Sequence, residues 1–249
     1  MAKLLEVCVD SYASAQAAVQ GGADRLEFCS ALALGGLTPY VDLLRQIKRD
    51  FSIPVRCLMR PRAGDFLYTP AEVELLCAQI ETLRQNGADG FVLGALTAQG
   101  DLDTQALSFM IRACGDAPRT LHRCIDVSRD LSATYRQAAE LGFDTILTSG
   151  GAAACTDGTG VLAELLKLRD AEHGPEILIG AGVNAAVITS LRKILPGASA
   201  FHMSGKMLVE SGMQFRRTDI SMGLPGLDEW HIQQTDPAAV TAAKAALFT

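Results

Sequence analysis

Eight times along the chain a short apolar run gives way to a longer stretch of helical periodicity, and no other feature restricts the fold so tightly. The strand-like runs fall at residues 4–9, 25–29, 54–60, 90–96, 119–126, 145–149, 176–181 and 200–204, and helical patterns lie near 12–21, 39–50, 70–86, 103–114, 130–141, 157–172, 185–195 and 237–247. Strand and helix in alternation imply a parallel sheet covered on both faces, and eight units is the count at which such a sheet closes. A weak repeat agrees with this. Gly22, Gly87, Gly142 and Gly197 precede the second, fourth, sixth and eighth runs at intervals of 55 to 65 residues, each where a left-handed helix end is expected. The rival is an open doubly wound sheet, whose glycine-rich first turn is missing, since Val9-Asp10-Ser11-Tyr12-Ala13-Ser14 has no glycine. The expected fold is therefore α/β, a single (βα)8 barrel in one domain over 1–249, with a long segment after the eighth strand.

Several helix starts are marked. Thr69-Pro70-Ala71-Glu72 has the spacing of a capping box with proline at the first helical position, and Asp236-Pro237 opens the last helix similarly. The 249 residues, 49% of them hydrophobic, suffice for one large core. With 22 basic against 28 acidic residues and no Lys/Arg run, a nucleic-acid or anionic-membrane surface is not indicated. No apolar stretch is long enough for a membrane span, and the N-terminal run broken by Glu6 is too short for a secretory signal. Seven cysteines without an export signal point to reduced thiols in a cytoplasmic protein.

Period-two alternation sorts the strand residues onto faces. Glu6, Cys8 and Asp10 share one face of the first strand, and Glu27 and Cys29 share one face of the second. Leu5, Val7, Val9, Leu26 and Phe28 suit the helix-facing side, which puts the Glu-x-Cys faces inside the barrel. The fifth run puts His122, Cys124 and Asp126 on one side. Polar residues thus gather at the C-terminal strand ends, where barrels of this kind carry their sites. Glu6, Glu27, His122, Asp126 and His202 are candidate proton-transfer residues, and a lyase or isomerase acting on a phosphorylated or carboxylated metabolite is one reading. Arg60 and Arg62, on the loop Met59 to Phe66, are candidate anion ligands together with Ser149, Gly180, Gly182, Ser204 and Gly205. Each group also has a plainer role open to it. The arginines would neutralise carboxylates within the fold, Glu6 and Glu27 would join a salt-bridge layer with Arg56, Arg60 or Arg123, the histidines would be satisfied polar groups, and the cysteines would be small buried hydrophobes. No lysine lies within a strand, which disfavours imine chemistry, and Glu6-x-Cys8 in place of paired histidines disfavours a binuclear zinc hydrolase.

Taken in order, Leu5-Glu6-Val7-Cys8-Val9-Asp10-Ser11, Leu26-Glu27-Phe28-Cys29-Ser30, Gly35-Gly36-Leu37-Thr38-Pro39, Met59 to Tyr68, Gly94-Ala95-Leu96-Thr97, His122-Arg123, Leu147-Thr148-Ser149-Gly150 and Ser211-Gly212-Met213-Gln214-Phe215-Arg216 resemble the CutC family of copper homeostasis proteins, from the first strand to about Gly223. The resemblance implies a TIM-type barrel, a cytoplasmic homodimer, and a role in copper handling, with Cu(I) bound by strand cysteines that correspond here to Cys8 and Cys29. It also shows departures. Ala63 stands for the usual Gly, Cys124-Ile125 for Ala-Phe, Gly205 for Ala, and Met203 where another member has Cys, a position from which a thioether still suits Cu(I). In register, Cys8 and Cys29 would face each other and share one ion. The segment 206–235, with Met207, Met213, Phe215, Met222, Leu224 and Trp230, is expected to be a lid or a dimer contact.

Overall fold

The computed structural model describes residues 3–217, 219–220 and 229–249. Eight parallel strands close into a barrel in sequence order. They are β1 (Leu4–Val9), β2 (Arg25–Phe28), β3 (Val55–Leu58), β4 (Gly90–Leu93), β5 (Arg119–Leu121), β6 (Thr145–Thr148), β7 (Glu176–Ile179) and β8 (Ala200–Met203). Helices α1 (Tyr12–Gln20), α2 (Val41–Asp50), α3 (Pro70–Gln85), α4 (Thr104–Cys114), α5 (Leu131–Glu140), α6 (Thr159–Glu172) and α7 (Ala185–Ile194) lie between them, and α8 (Pro237–Ala246) ends the chain. The expected (βα)8 barrel is thus the observed fold. Pairing of β1 with both β2 and β8 closes it.

Alternation places the core as expected. Leu5, Val7, Val9, Leu26 and Phe28 are fully buried against the helical ring, each such side chain stabilising the fold by about 2 kcal/mol through burial. The alternate residues fill the barrel. At the end where the strands begin, Arg56 donates to Thr120 Oγ1 at 2.6 Å and Thr145 Oγ1 at 3.2 Å and pairs with Asp144 at 2.7 Å. Helix starts follow their sequence signals. Thr69 and Glu72 form the complete capping box, and Asp236 caps α8 by accepting from Ala238 N–H.

Several local expectations are corrected. β5 stops at Leu121 rather than running to residue 126, because His122 Nδ1 captures the Cys124 N–H and starts a 3-10 turn over Arg123–Val127; His122, Cys124 and Asp126 therefore do not share a strand face. β3 and β4 also end early, at Leu58 and Leu93. Gly22, Gly87 and Gly142 take the left-handed conformation, whereas Gly197 does not, since α7 is capped at Leu195 before Pro196. In the segment after β8, β9 (Lys206–Glu210) and β10 (His231–Thr235) pair antiparallel as a two-stranded sheet. It is tied to the barrel through Thr235 N–H on Ser14 Oγ, and it leaves Leu208, Ile232, Met213 and Phe215 exposed. Met222 and Leu224 lie outside the described residues.

Candidate functional site

At the C-terminal mouth, β1, β2 and β8 bring Glu6, Cys8, Glu27 and His202 together inside the barrel. Register sets Glu6 beside Arg25 and His202, and Cys8 beside Glu27. Glu6 is fully buried between Arg25 Nε at 2.5 Å and His202 Nδ1 at 2.8 Å. Burial opposes its ionisation, yet Arg25 and His202 hold its pKa down to about 2. The partner of Glu6 is thus Arg25, not Arg56, Arg60 or Arg123. The sequence signal for it was available, because Arg25 lies two residues before Glu27 and so shares its inward face.

Glu27 has a different environment. It stands 3.8 Å from His202 Nε2. Burial raises its pKa, and despite the opposing pull of His202 it is pushed up to about 7. For His202, burial acts to lower the pKa, but the adjacent Cys8 sulfur, Glu27 and Glu6 raise it well above the usual value. Donor atoms of Cys8, Glu27 and His202 all lie within 4.8 Å of one another, a spacing that one ion can bridge.

Cys29 does not face Cys8. The register pairs Cys8 with Glu27, so the expected in-register thiol pair is absent; Cys29 lies two residues further along β2's course and its thiol donates to the Val9 carbonyl at 3.6 Å. Burial, reinforced by Glu27, keeps that thiol protonated. Met203, next to His202, packs into the core between barrel and helices.

The other expected residues divide by how fully their hydrogen bonds are used. Asp126 accepts from Thr148 Oγ1, Ser149 N–H, Gly151 N–H and Arg123 Nε, so it joins two loops and is not a free base. Ser149 is engaged by the same cluster and donates to the Ala152 carbonyl. The Gly180 N–H is taken by the Thr148 carbonyl. Arg62 clasps its own loop through Asp65, Glu72 and the Leu67 carbonyl. Arg60 donates to the carbonyls of Leu34, Gly36 and Gly64. His122 lies across the mouth from β1, and its ring fits only because residue 94 is glycine; a Cβ there would stand 2.2 Å from Cε1.

Two hollows open at this mouth. One, of about 700 Å3, is bordered by Arg123, Gly182, Asn184, Ser204, Gly205 and Lys206. Another, of about 150 Å3, lies among Glu27, Arg60, Phe66 and His122. Cys8, Leu32, Arg123 and His202 line both. A third, of about 490 Å3, lies on the outer surface between α3 and α4 and shares no residue with them.

A closed (βα)8 barrel with a thiol, a carboxylate and an imidazole converging inside its C-terminal mouth is a TIM-type barrel protein with a candidate metal centre. The CutC family model matches residues 3–207, and the chain belongs to the CutC family. The copper homeostasis protein cutC homolog of Homo sapiens is 37% identical over 245 residues, covering 97% of this chain and 88% of that protein. A family protein CutC of Aliivibrio fischeri is 37% identical over 244 residues, 96% of this chain and 97% of the other. The CutC crystal structure from Streptococcus agalactiae superposes with a TM-score of 0.76 at 25% identity, over 81% of this chain and 98% of that one. The 3-hexulose-6-phosphate synthase of Salmonella typhimurium shares the fold, with a TM-score of 0.58 at 15% identity over 98% of each chain. Among the described residues, no helix is long and apolar enough to cross a membrane.

Proposed function

We propose that this protein serves copper homeostasis by taking up Cu(I) as its cargo at Cys8 and His202, with Glu27 closing the site. The observation that carries this reading is the anchoring of His202. Its Nδ1 is held by Glu6, itself fixed by Arg25, which leaves Nε2 turned toward Glu27 and within reach of the Cys8 sulfur. A carboxylate behind an imidazole is the usual device for orienting a metal-binding histidine. The donor set fits the ion: thiolate and imidazole suit soft Cu(I), and the harder Glu27 oxygen supplies charge. Names of the relatives agree with this role. Cys29 takes a supporting part at most, its thiol being held protonated. We place the protein in the cytoplasm, where its free cysteines would stay reduced, working as one domain and as a homodimer whose contact is the apolar hairpin.

Anaerobic Cu(I) titration against a competing chelator tests this on the parent, Cys8→Ser, Cys29→Ser and Cys77→Ser. Loss of Cys8 should weaken binding at least about tenfold, about 1.4 kcal/mol. Cys29→Ser should change it by less than about threefold, roughly 0.6 kcal/mol, and Cys77→Ser, on a helix away from the mouth, should leave it unchanged. Equal binding by the parent and Cys8→Ser would end the copper reading.

A further inference from the structure

Across the mouth from the metal-ligating cluster, two buried donors lack an acceptor. His122 is 5% exposed and Arg60 9%, and among the described residues neither His122 Nε2 nor Arg60 Nε has a hydrogen-bond partner. The Cys124 N–H donates to His122 Nδ1 at 3.1 Å, so the proton of the neutral ring sits on Nε2 and points the other way. Burial and the positive charge of Arg60 keep the ring neutral by lowering its pKa to about 3. Both unmatched atoms are therefore donors.

They belong to one wall. The Phe66 ring centroid lies 4.7 Å from that of His122, and Arg60 Cζ sits 5.3 Å from the same Phe66 centroid. His122 and Arg60 both line the 150 Å3 chamber with Glu27, Cys8 and His202. Arg60 cannot turn away, because Nη1 is held by the Leu34 and Gly36 carbonyls at 3.1 and 3.3 Å and Nη2 by the Gly64 carbonyl at 2.8 Å. These partners are neutral. Among the described residues no carboxylate pairs with this guanidinium, although buried charges are normally paired and a buried donor without an acceptor costs about 1–3 kcal/mol. The wall thus holds one positive charge and two buried N–H groups without an acceptor.

We propose that the chamber binds the oxyanion of a small organic acid or phosphate ester, whose oxygens accept from Arg60 Nε and His122 Nε2. The remainder of the molecule extends past Cys8, Leu32 and Arg123 into the larger hollow, toward Gly182, Asn184 and Lys206. None of the three proposed copper ligands is among the donors, so the inference stands independently of the copper reading and is tested without metal.

Metal-free protein is titrated with sodium phosphate, acetate and malonate, each against sodium chloride at equal ionic strength, by calorimetry and melting temperature. The variant is His122→Asn, whose side-chain oxygen keeps an acceptor for the Cys124 N–H while the Nε2 donor is deleted. One of the oxyanions should raise the parent's melting temperature saturably beyond chloride, and His122→Asn should bind it at least about tenfold more weakly. Tighter binding of phosphate identifies a phosphate ester, and tighter binding of acetate or malonate an organic acid. Should the variant fail to fold, the nitrogen-15 and proton signals of His122 Nε2–H in the parent decide the matter, since they must shift on saturation. Parent protein indifferent to all three anions, a folded variant that binds as tightly as the parent, or an unmoved Nε2–H signal would each overturn the proposal.

Discussion

Two sides of the barrel mouth use the same kinds of residue to opposite ends. On the β5/β6 side, a buried carboxylate, Asp126, receives hydrogen bonds from Thr148, Ser149, Gly151 and Arg123. These contacts tie the turn after β5 to the end of β6 and the loop that follows it. On the β1/β2/β8 side, among the described residues Glu27 meets only His202 at ion-pair range, 3.8 Å away, and burial pushes its pKa up to about 7. A carboxylate with its acceptor sites filled is architecture, whereas one kept near its own neutralisation point in a hollow is available to a ligand or a proton. Polarity at a strand end does not distinguish the two; the count of committed hydrogen bonds does.

The sharpest way to break this contrast is to delete each carboxylate. Asp126→Ala leaves Arg123 Nε and two backbone N–H groups without their acceptor, and it should destabilise the protein by about 3 kcal/mol in urea unfolding. Glu27→Gln should unfold at no lower denaturant concentration than the parent. Comparable losses in both variants would mean that the β1/β2/β8 side is as structural as the other. A graded test comes from pH, read as a slope. The folded pKa of His122, about 3, lies below the unfolded value near 6.5. As pH falls from about 6.5 toward 3, the unfolded chain binds a proton that the native state refuses, so stability is lost across that window, at up to about 1.4 kcal/mol per pH unit. His122→Asn should flatten the slope of denaturant stability against pH by this amount, and an unchanged slope would contradict the buried, neutral ring. The smallest effect is expected at Arg62, whose partners Asp65 and Glu72 lie on its own loop and helix. Arg62→Ala should move the melting temperature by no more than about 2 °C; a larger drop would make the loop clasp a third structural centre.

Much of this was legible beforehand, and the failures have physical reasons. Alternation alone placed Glu6, Cys8 and Glu27 inside the barrel, because a strand with a covered outer face must show that period. It did not give the stagger between strands. Closing a barrel shears neighbouring strands past one another, so the like-placed Cys8 and Cys29 are out of step and Glu27 takes the place opposite Cys8. The end of β5 was hidden because it depends on a side chain: His122 takes a backbone N–H that a longer strand would have used. The β9–β10 hairpin escaped because its strands are separated by a long segment and its exposed apolar residues follow no pattern imposed by a core.

The arginine layer at the opposite end of the barrel decides how anything reaches the mouth. Arg56 is locked onto Thr120, Thr145 and Asp144, and Leu147, Leu178 and Ala200 are packed as a plug beside Leu4. The barrel is a cul-de-sac, with one doorway for arrival and departure. Whatever occupies the inner chamber must leave before a successor can enter, and Lys206 and Gln233 of the hairpin stand at that doorway. Exchange of any occupant would then be serial, through that one rim.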